Sequence, residues 1–235
     1  MEHRTYAIIG GGSGMGLGVA RALVRRGDHV LIGGRTQARL EAAKAELGEA
    51  AQVRQVDTTD RDSLAAFFAD VPALSGLFTP GADYQTGGFR ESSPEVAESP
   101  FKGKFWGQYW AVHAALPVLA PHAGVVLMSG AASVRPLGNP AYAACNAAIE
   151  GLTRALAQEL APIRVNCLSP GTVDSDLWRR RPDEVRGPAY EAYGRLSVVG
   201  RPGHVDELVE AALFLLDNGN MTGASLYADG GYSLR

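Results

Sequence analysis

Short, continuously apolar runs alternate along the chain with stretches that repeat apolar residues at helical spacing. The runs at 5–9, 29–33, 52–56, 76–79, 124–128, 164–168 and 225–228 are rich in aliphatic or β-branched residues, the pattern of strands covered on both faces. Helical spacing occupies 16–26, 37–47, 61–68, 101–119, 142–160 and 205–216. Alternating β and α elements predict a parallel sheet. Right-handed crossovers then put helices on both of its faces, in one doubly wound α/β domain of the Rossmann type over residues 1–235. Two stretches have weak periodicity, 83–100 and 175–199. The second is longer than an ordinary connection and is expected to act as a substrate lid.

Composition narrows the class of function. With 46% hydrophobic and 20% charged residues the chain is neither disordered nor fibrous. The net charge of −3, from 22 basic and 25 acidic residues, argues against binding nucleic acid by phosphate neutralisation. The two cysteines, Cys145 and Cys167, make no disulfide framework and lack metal-ligand spacing, so no metal is expected. No apolar stretch approaches the roughly 18 residues a membrane helix needs. The opening residues lack a leader pattern, so a cytoplasmic protein with no membrane attachment is expected. Glycine is in excess: 29 residues in 235, six of them within 10–18.

That cluster follows the first predicted strand and precedes a helix. It reads Gly10-Gly11-Gly12-Ser13-Gly14-Met15-Gly16-Leu17-Gly18. Glycines permit a tight turn and let backbone amides approach an anion, and the helix N-terminus favours negative charge. A pyrophosphate fits such a site. The spacing is G-x-x-x-G-x-G at Gly10, Gly14 and Gly16, with Gly12, Gly16 and Gly18 as a second register. The second predicted strand ends at Gly33-Gly34-Arg35-Thr36, where dinucleotide folds meet the adenosine ribose. Gly34 stands in place of the acid that would hold a 2′-hydroxyl. The Arg35 guanidinium suits a 2′-phosphate, so NADP(H) is favoured over NAD(H). Arg39, one turn on, either assists or lies on a solvated face. Asp57, with Thr58 beside it, either accepts from an adenine amino group or caps the next helix.

These residues, together with Val56-Asp57-Thr58-Thr59-Asp60, Ala114-Ala115-Leu116-Pro117, a Ser and Tyr pair, Ile163-Arg164-Val165-Asn166, Pro170-Gly171 and Ala228-Asp229-Gly230-Gly231, resemble the short-chain dehydrogenase/reductase family over essentially the whole chain. The resemblance implies a seven-stranded parallel sheet of order 3-2-1-4-5-6-7 and a nicotinamide cofactor. It also implies a homotetramer or homodimer packed through the helices at 101–119 and 142–160. Tyr142 matches the family's general acid/base, and Ser129, 13 residues earlier, matches the serine that polarises the carbonyl, with Ser133 the alternative.

Two positions depart from the pattern. The lysine expected four residues after the tyrosine is Asn146, and the asparagine of the preceding long helix is Lys104, with Gly107 in register three residues later. A free tyrosine has a pKa of about 10 and needs a nearby cation to serve as a base at neutral pH. Asn146 shares a helix face with Tyr142 but carries no charge. A swapped tetrad of Lys104, Ser129, Tyr142 and Asn146 is therefore expected, Lys104 tuning Tyr142 and Asn146 holding the ribose or a relay water. The family's Asn-Asn-Ala-Gly is here Thr79-Pro80-Gly81-Ala82, so cofactor contacts at Thr79, Pro80 and Gly81 rest on backbone and small residues. Pro170, Gly171, Val173 and Ser175 complete the expected nicotinamide side.

In the expected lid, which also carries Tyr190 and Tyr193, Trp178 either meets an apolar or aromatic substrate or is a packing or subunit-interface residue. Arg179, Arg180 and Arg181 either recognise an anionic group or form a solvated face. Trp106 and Trp110, one turn apart, belong to the core or a subunit interface. The expected function is an NADP(H)-dependent oxidoreductase that interconverts a small-molecule ketone and a secondary alcohol. The alternatives are a catalytically silent NADP-binding sensor or scaffold, and a reductase of C=C or C=N bonds.

Overall fold

The first strand, β1 (Thr5–Ile9), sets up the layering. Tyr6 and Ile8 point to one face and Ala7 and Ile9 to the other, and both pairs are buried, so apolar side chains meet helices on each side. Six further strands join it: β2 (His29–Gly34), β3 (Ala51–Gln55), β4 (Leu74–Thr79), β5 (Leu119–Met128), β6 (Arg164–Pro170) and β7 (Ser225–Ala228). The computed structural model describes residues 3–234, the Leu177 side chain aside. Met1 and Glu2, where the leader reading begins, lie outside the described residues. All seven strands pair in parallel in the order β3-β2-β1-β4-β5-β6-β7, the single-domain Rossmann-type topology expected.

On one face pack α1 (Gly14–Arg25), α2 (Gln37–Leu47) and α9 (Val205–Asp217), through Val19, Leu23, Leu40, Val209 and Leu216. On the other pack α3 (Arg61–Phe68), α5 (Trp106–Ala115) and α6 (Pro140–Glu159), through Leu64, Phe67, Ala111, Val112 and Ile149. Along the chain between β6 and α9 lie α7 (Asp176–Arg179) and α8 (Asp183–Leu196), and Val173–Asp174 pairs with Gly203–His204. Among the described residues, no helix is long and apolar enough to cross a membrane.

The continuous helix expected over 101–119 is corrected. The weakly periodic segment before it contains α4 (Pro94–Pro100), started by Pro94 and capped by the Ser93 hydroxyl. A π-helical turn, Phe101–Phe105, then joins α4 to α5. That turn inserts an extra residue per hydrogen-bonded ring and changes which side chains face inward. After α5, Pro117 sits in a 3-10 turn and the chain enters β5 at Leu119, five residues before the expected strand. A register shift between Leu74 and Gly76 accommodates the early start. The weakly periodic 175–199 is likewise mostly helical, in the two short helices α7 and α8.

Candidate active site

At the C-terminal ends of β1, β4 and β5 the chain leaves a cleft of about 700 Å³. Such a position, where the strand order reverses, is where open parallel sheets bind ligands. The glycine loop forms one wall. Gly10 has φ +96°, its N–H donates to the Gly33 carbonyl (2.8 Å), and a Cβ at Gly16 would lie 2.2 Å from the Gly10 carbonyl oxygen. The loop and the first turn of α1 therefore touch backbone to backbone. This supports the Gly10, Gly14 and Gly16 register; a Cβ at Gly18 would instead meet Val209 of α9, a packing contact. Ser13 occupies the N-cap position of α1 without spending its side chain on the helix. The α1 amides thus face the cleft with the positive end of the helix.

The cleft is lined by most of the residues picked out in the sequence. Gly10, Gly12, Ser13, Gly14, Met15 and Gly16 border it, as do Gly34, Arg35, Thr36, Arg39, Asp57 and Thr58. Pro80, Gly81, Lys104, Ser129 and Tyr142 follow around the wall, and Pro170, Gly171, Val173, Ser175 and Trp178 close it. Arg35 ion-pairs with Asp83 (2.8 Å), both side chains exposed. Asp57 accepts from the Thr59 amide (2.9 Å) and hydroxyl (2.8 Å), and these bonds hold its carboxyl below the usual carboxylate range. The cap of α3 is Asp60, not Asp57.

Thr79, expected with Pro80 and Gly81 to meet the cofactor through backbone and small residues, does not border the cleft as they do. It is buried, and its hydroxyl donates to Gln108 Oε1 (2.9 Å), which also accepts from the Met128 amide (2.6 Å). Strand alternation turns Thr79 inward and leaves Pro80 and Gly81 at the cleft. Tyr193 is corrected too. It is buried, stacks on Tyr232, and donates to the Asp229 carbonyl (2.6 Å), so it braces the Pro170-Gly171 turn rather than covering a substrate. Trp178 does line the cleft, with the Arg181 guanidinium 4.2 Å from its ring centre. Arg179 pairs with Asp174, while Arg180 and Arg181 border the cleft.

At the inner end lies the chemistry. Lys104, placed by the π-helical turn, is 3% exposed, and its Nζ donates to the Ser129 carbonyl (2.8 Å) and to Asn146 Oδ1 (2.5 Å). The ammonium sits 5.0 Å from the Tyr142 ring centre. Burial alone raises the Tyr142 phenol, but the Lys104 charge and a hydrogen bond from Tyr84 outweigh it and bring the phenol below its ordinary value. Asn146 is fully buried, and its Nδ2 makes no well-formed hydrogen bond among the described residues.

Ser129 does not face Tyr142, which corrects its expected role. Its hydroxyl is directed at the Asn146 carbonyl (3.0 Å) and Glu150 Oε1 (3.1 Å), on the core side of the strand end. The backbone position opposite Tyr142 is Gly130, where a Cβ would lie 3.2 Å from Tyr142 Oη. Alternation at the end of β5 sends neighbouring residues to opposite sides, so counting 13 residues back from Tyr142 reaches the wrong face.

Glu150, which the sequence did not single out, gathers that inward side. Its buried carboxyl group accepts from the hydroxyls of Ser129 (3.1 Å), Ser133 (2.6 Å), Ser169 (2.9 Å) and Tyr227 (2.8 Å). Replacing it with alanine strands several buried hydroxyls together. The expected cost is about 3 kcal/mol, read as a lower denaturant midpoint at an unchanged slope. A Glu150→Ala protein as stable as the wild type would show that these bonds contribute little.

A family model described as Enoyl-(Acyl carrier protein) reductase matches residues 10–233. The chain is 33% identical to the galactitol 2-dehydrogenase (L-tagatose-forming) of Cereibacter sphaeroides, over the full length of both. It belongs to the short-chain dehydrogenase/reductase family. Among solved members, it is similar to a small-chain dehydrogenase in complex with NADPH, at 28% identity and a TM-score of 0.82, covering both chains entirely. It also resembles the NADPH-bound short-chain oxidoreductase of Pseudomonas aeruginosa PAO1, described as containing an atypical catalytic centre. There the identity is 26% and the TM-score 0.88, over 97% of this chain and 96% of that one. The residues of this family member fit a nicotinamide dinucleotide: a backbone cradle that a Gly16 Cβ would fill, an N-terminal helix end for a pyrophosphate, and an unpartnered buried amide at Asn146.

Proposed function

We propose that this protein is an NADP(H)-dependent oxidoreductase interconverting a ketone and a secondary alcohol. The observation that carries this reading is the Lys104 ammonium, buried beneath Tyr142 and bonded to Asn146, so the cation that a tyrosine base needs is supplied from the other helix. The nicotinamide, when bound, supplies or receives the hydride. Tyr142 gives its proton to the carbonyl oxygen in reduction and takes it back in oxidation. Lys104 holds the phenolate form within reach, and Asn146 presents its free Nδ2 to the ribose or to a relay water. Residues 175–199 act as a lid, with Trp178 as an apolar or aromatic contact for the substrate.

The relative that forms L-tagatose from galactitol supports a ketone and alcohol pair. The NADPH complexes of the solved relatives, together with Gly34 and Arg35, support NADP(H) over NAD(H). Exposed Trp106 on α5 supports assembly into a homodimer or homotetramer through α5 and α6. The description of the family model favours one second reading, reduction of an enoyl C=C bond.

The test is the purified protein with NADPH or NADH against a panel of ketones, aldoses, ketoses and enoyl thioesters, followed by loss of nicotinamide absorbance. Turnover of ketones is expected. Turnover of enoyl compounds alone would move the assignment to the second reading, and tight NADPH binding without turnover would make the protein a sensor or scaffold. In the same binding assay, Arg35→Ala is expected to weaken NADPH about tenfold or more and to leave NADH nearly unchanged, because only the 2′-phosphate calls for a guanidinium. Equal losses for both cofactors would show that Arg35 reads no phosphate.

A further inference from the structure

The carbonyl oxygen needs a second hydrogen-bond donor beside Tyr142, and no serine supplies it. Gly130 has no side chain, and the Ser129 and Ser133 hydroxyls are turned toward Glu150. A different hydroxyl occupies that neighbourhood. Tyr84 stacks on Tyr142, with ring centres 5.0 Å apart and planes 21° from parallel, and its Oη donates to Tyr142 Oη at 3.2 Å. It lines the same cleft.

The loop that carries Tyr84 is anchored on both sides of it. A Cβ at Gly103 would lie 1.8 Å from the Asp83 carbonyl oxygen, so the π-helical turn and this loop are in backbone contact, and any side chain there would displace Tyr84. The Asp83 carboxylate pairs with Arg35, and the Gln85 amide donates to Ser99 Oγ (2.8 Å). The turn that delivers Lys104 from beneath thus also seats Tyr84 from the side.

We propose that Tyr84 is a catalytic residue, the second hydroxyl donor to the substrate oxygen, in the place that Gly130 leaves without a side chain. The role rests on the ketone and alcohol reading above. Two phenol oxygens this close can both reach one acceptor oxygen about 2.8 Å from each. In reduction the carbonyl carbon takes the hydride, the C=O π pair moves onto oxygen, and that oxygen takes the Tyr142 proton. Tyr84 keeps its own proton and stabilises the charge that develops on the oxygen. Oxidation runs through the same contacts in reverse. The two phenols are suited to unequal roles. Burial, then the neighbouring Tyr142, pushes the Tyr84 phenol far above its ordinary value, while Tyr142 is pulled down. Environments that drive two like groups apart in this way separate the permanent donor from the group that exchanges its proton.

Tyr84→Phe tests the proposal, since it keeps the stacked ring and removes only the hydroxyl. With a ketone that the wild type reduces, kcat is expected to fall about a hundredfold while NADPH affinity stays within about twofold. In the free enzyme, where Tyr84 donates to Tyr142, the pH at which kcat/KM for alcohol oxidation reaches half its maximum is expected to rise, because the phenolate has lost that donor. A merely structural role would change the cofactor affinity or the thermal midpoint and leave the pH profile in place. The proposal is overturned if Tyr84→Phe keeps kcat within about threefold of wild type and an unmoved pH profile. Absence of ketone turnover by the wild type would defeat the underlying reading and the role of Tyr84 with it, so the two failures are separable.

Discussion

Lys104→Met is expected to slow alcohol oxidation about a hundredfold at neutral pH and to shift its pH profile upward by about two units. The direction follows from which form of Tyr142 works. Oxidation needs the phenolate, which is present above the Tyr142 pKa, and the wild-type value lies below that of ordinary tyrosine because the Lys104 charge, together with the hydrogen bonds around the phenol, outweighs burial. Without the ammonium, burial is opposed only by the remaining hydrogen bonds and the phenol rises, so oxidation gains its base only at higher pH. Reduction needs the protonated phenol, and its loss with rising pH moves upward by the same amount.

The exchange can also be reversed. Lys104 Nζ and Asn146 Oδ1 are 2.5 Å apart and both side chains are buried, so Lys104→Asn with Asn146→Lys keeps one cation and one amide in the same space. The double variant is expected to recover most of the activity that Lys104→Asn alone loses. Asn146→Lys alone buries two ammonium groups side by side and is expected to lower the thermal midpoint. A Lys104→Met enzyme with an unchanged kcat and pH profile would remove Lys104 from the mechanism.

Gly16→Ala should abolish tight NADPH binding, raising Kd by about a hundredfold or more. The new Cβ would sit 2.2 Å from the Gly10 carbonyl oxygen and 2.8 Å from its carbonyl carbon. Both atoms are backbone, held by the Gly10 and Gly11 amides on the Gly33 carbonyl, and neither can yield as a side-chain tip would. The α1 N-terminus would have to move off the loop, and the amides that face the cleft would no longer converge. Gly14→Ala is the control. Nothing lies within 4 Å of its Cβ, and its φ of +54° carries only the left-handed penalty of about 1 kcal/mol. Titration of both variants with NADPH separates the two effects, and a Gly16→Ala protein that binds as tightly as wild type would rule out the backbone cradle.

Much of this was legible in the chain itself. Seven short runs rich in aliphatic and β-branched residues alternate with helical spacing and lead to a parallel sheet between helices, while the order of its strands was implied by the family resemblance and is the order observed. The glycine loop was legible because its glycines sit between a strand and a helix, where backbone geometry leaves few other uses for them. The segment from 94 to 119 was not. A π-helical turn has no periodicity of its own to read, and it resets the phase of the helix that follows. Tyr84 was invisible for a related reason: a lone tyrosine in a loop has no spacing that relates it to Tyr142, 58 positions away.

What the sequence determined by itself is therefore the α/β architecture, the glycine loop between the first strand and the first helix, and the identities of Lys104 and Asn146. These depend on local pattern or residue identity, which the chain displays directly. Which hydroxyl lies beside Tyr142 was decided only by the tertiary structure. A one-residue step at the end of β5 turns Ser129 toward Glu150 and leaves Gly130 opposite Tyr142, while the close approach of Gly103 to Asp83 brings Tyr84 alongside. The physical reason is that facing is a property of packed backbones. Spacing along the chain states how far apart two residues are, but the sheet and the helix against it decide which way each one points.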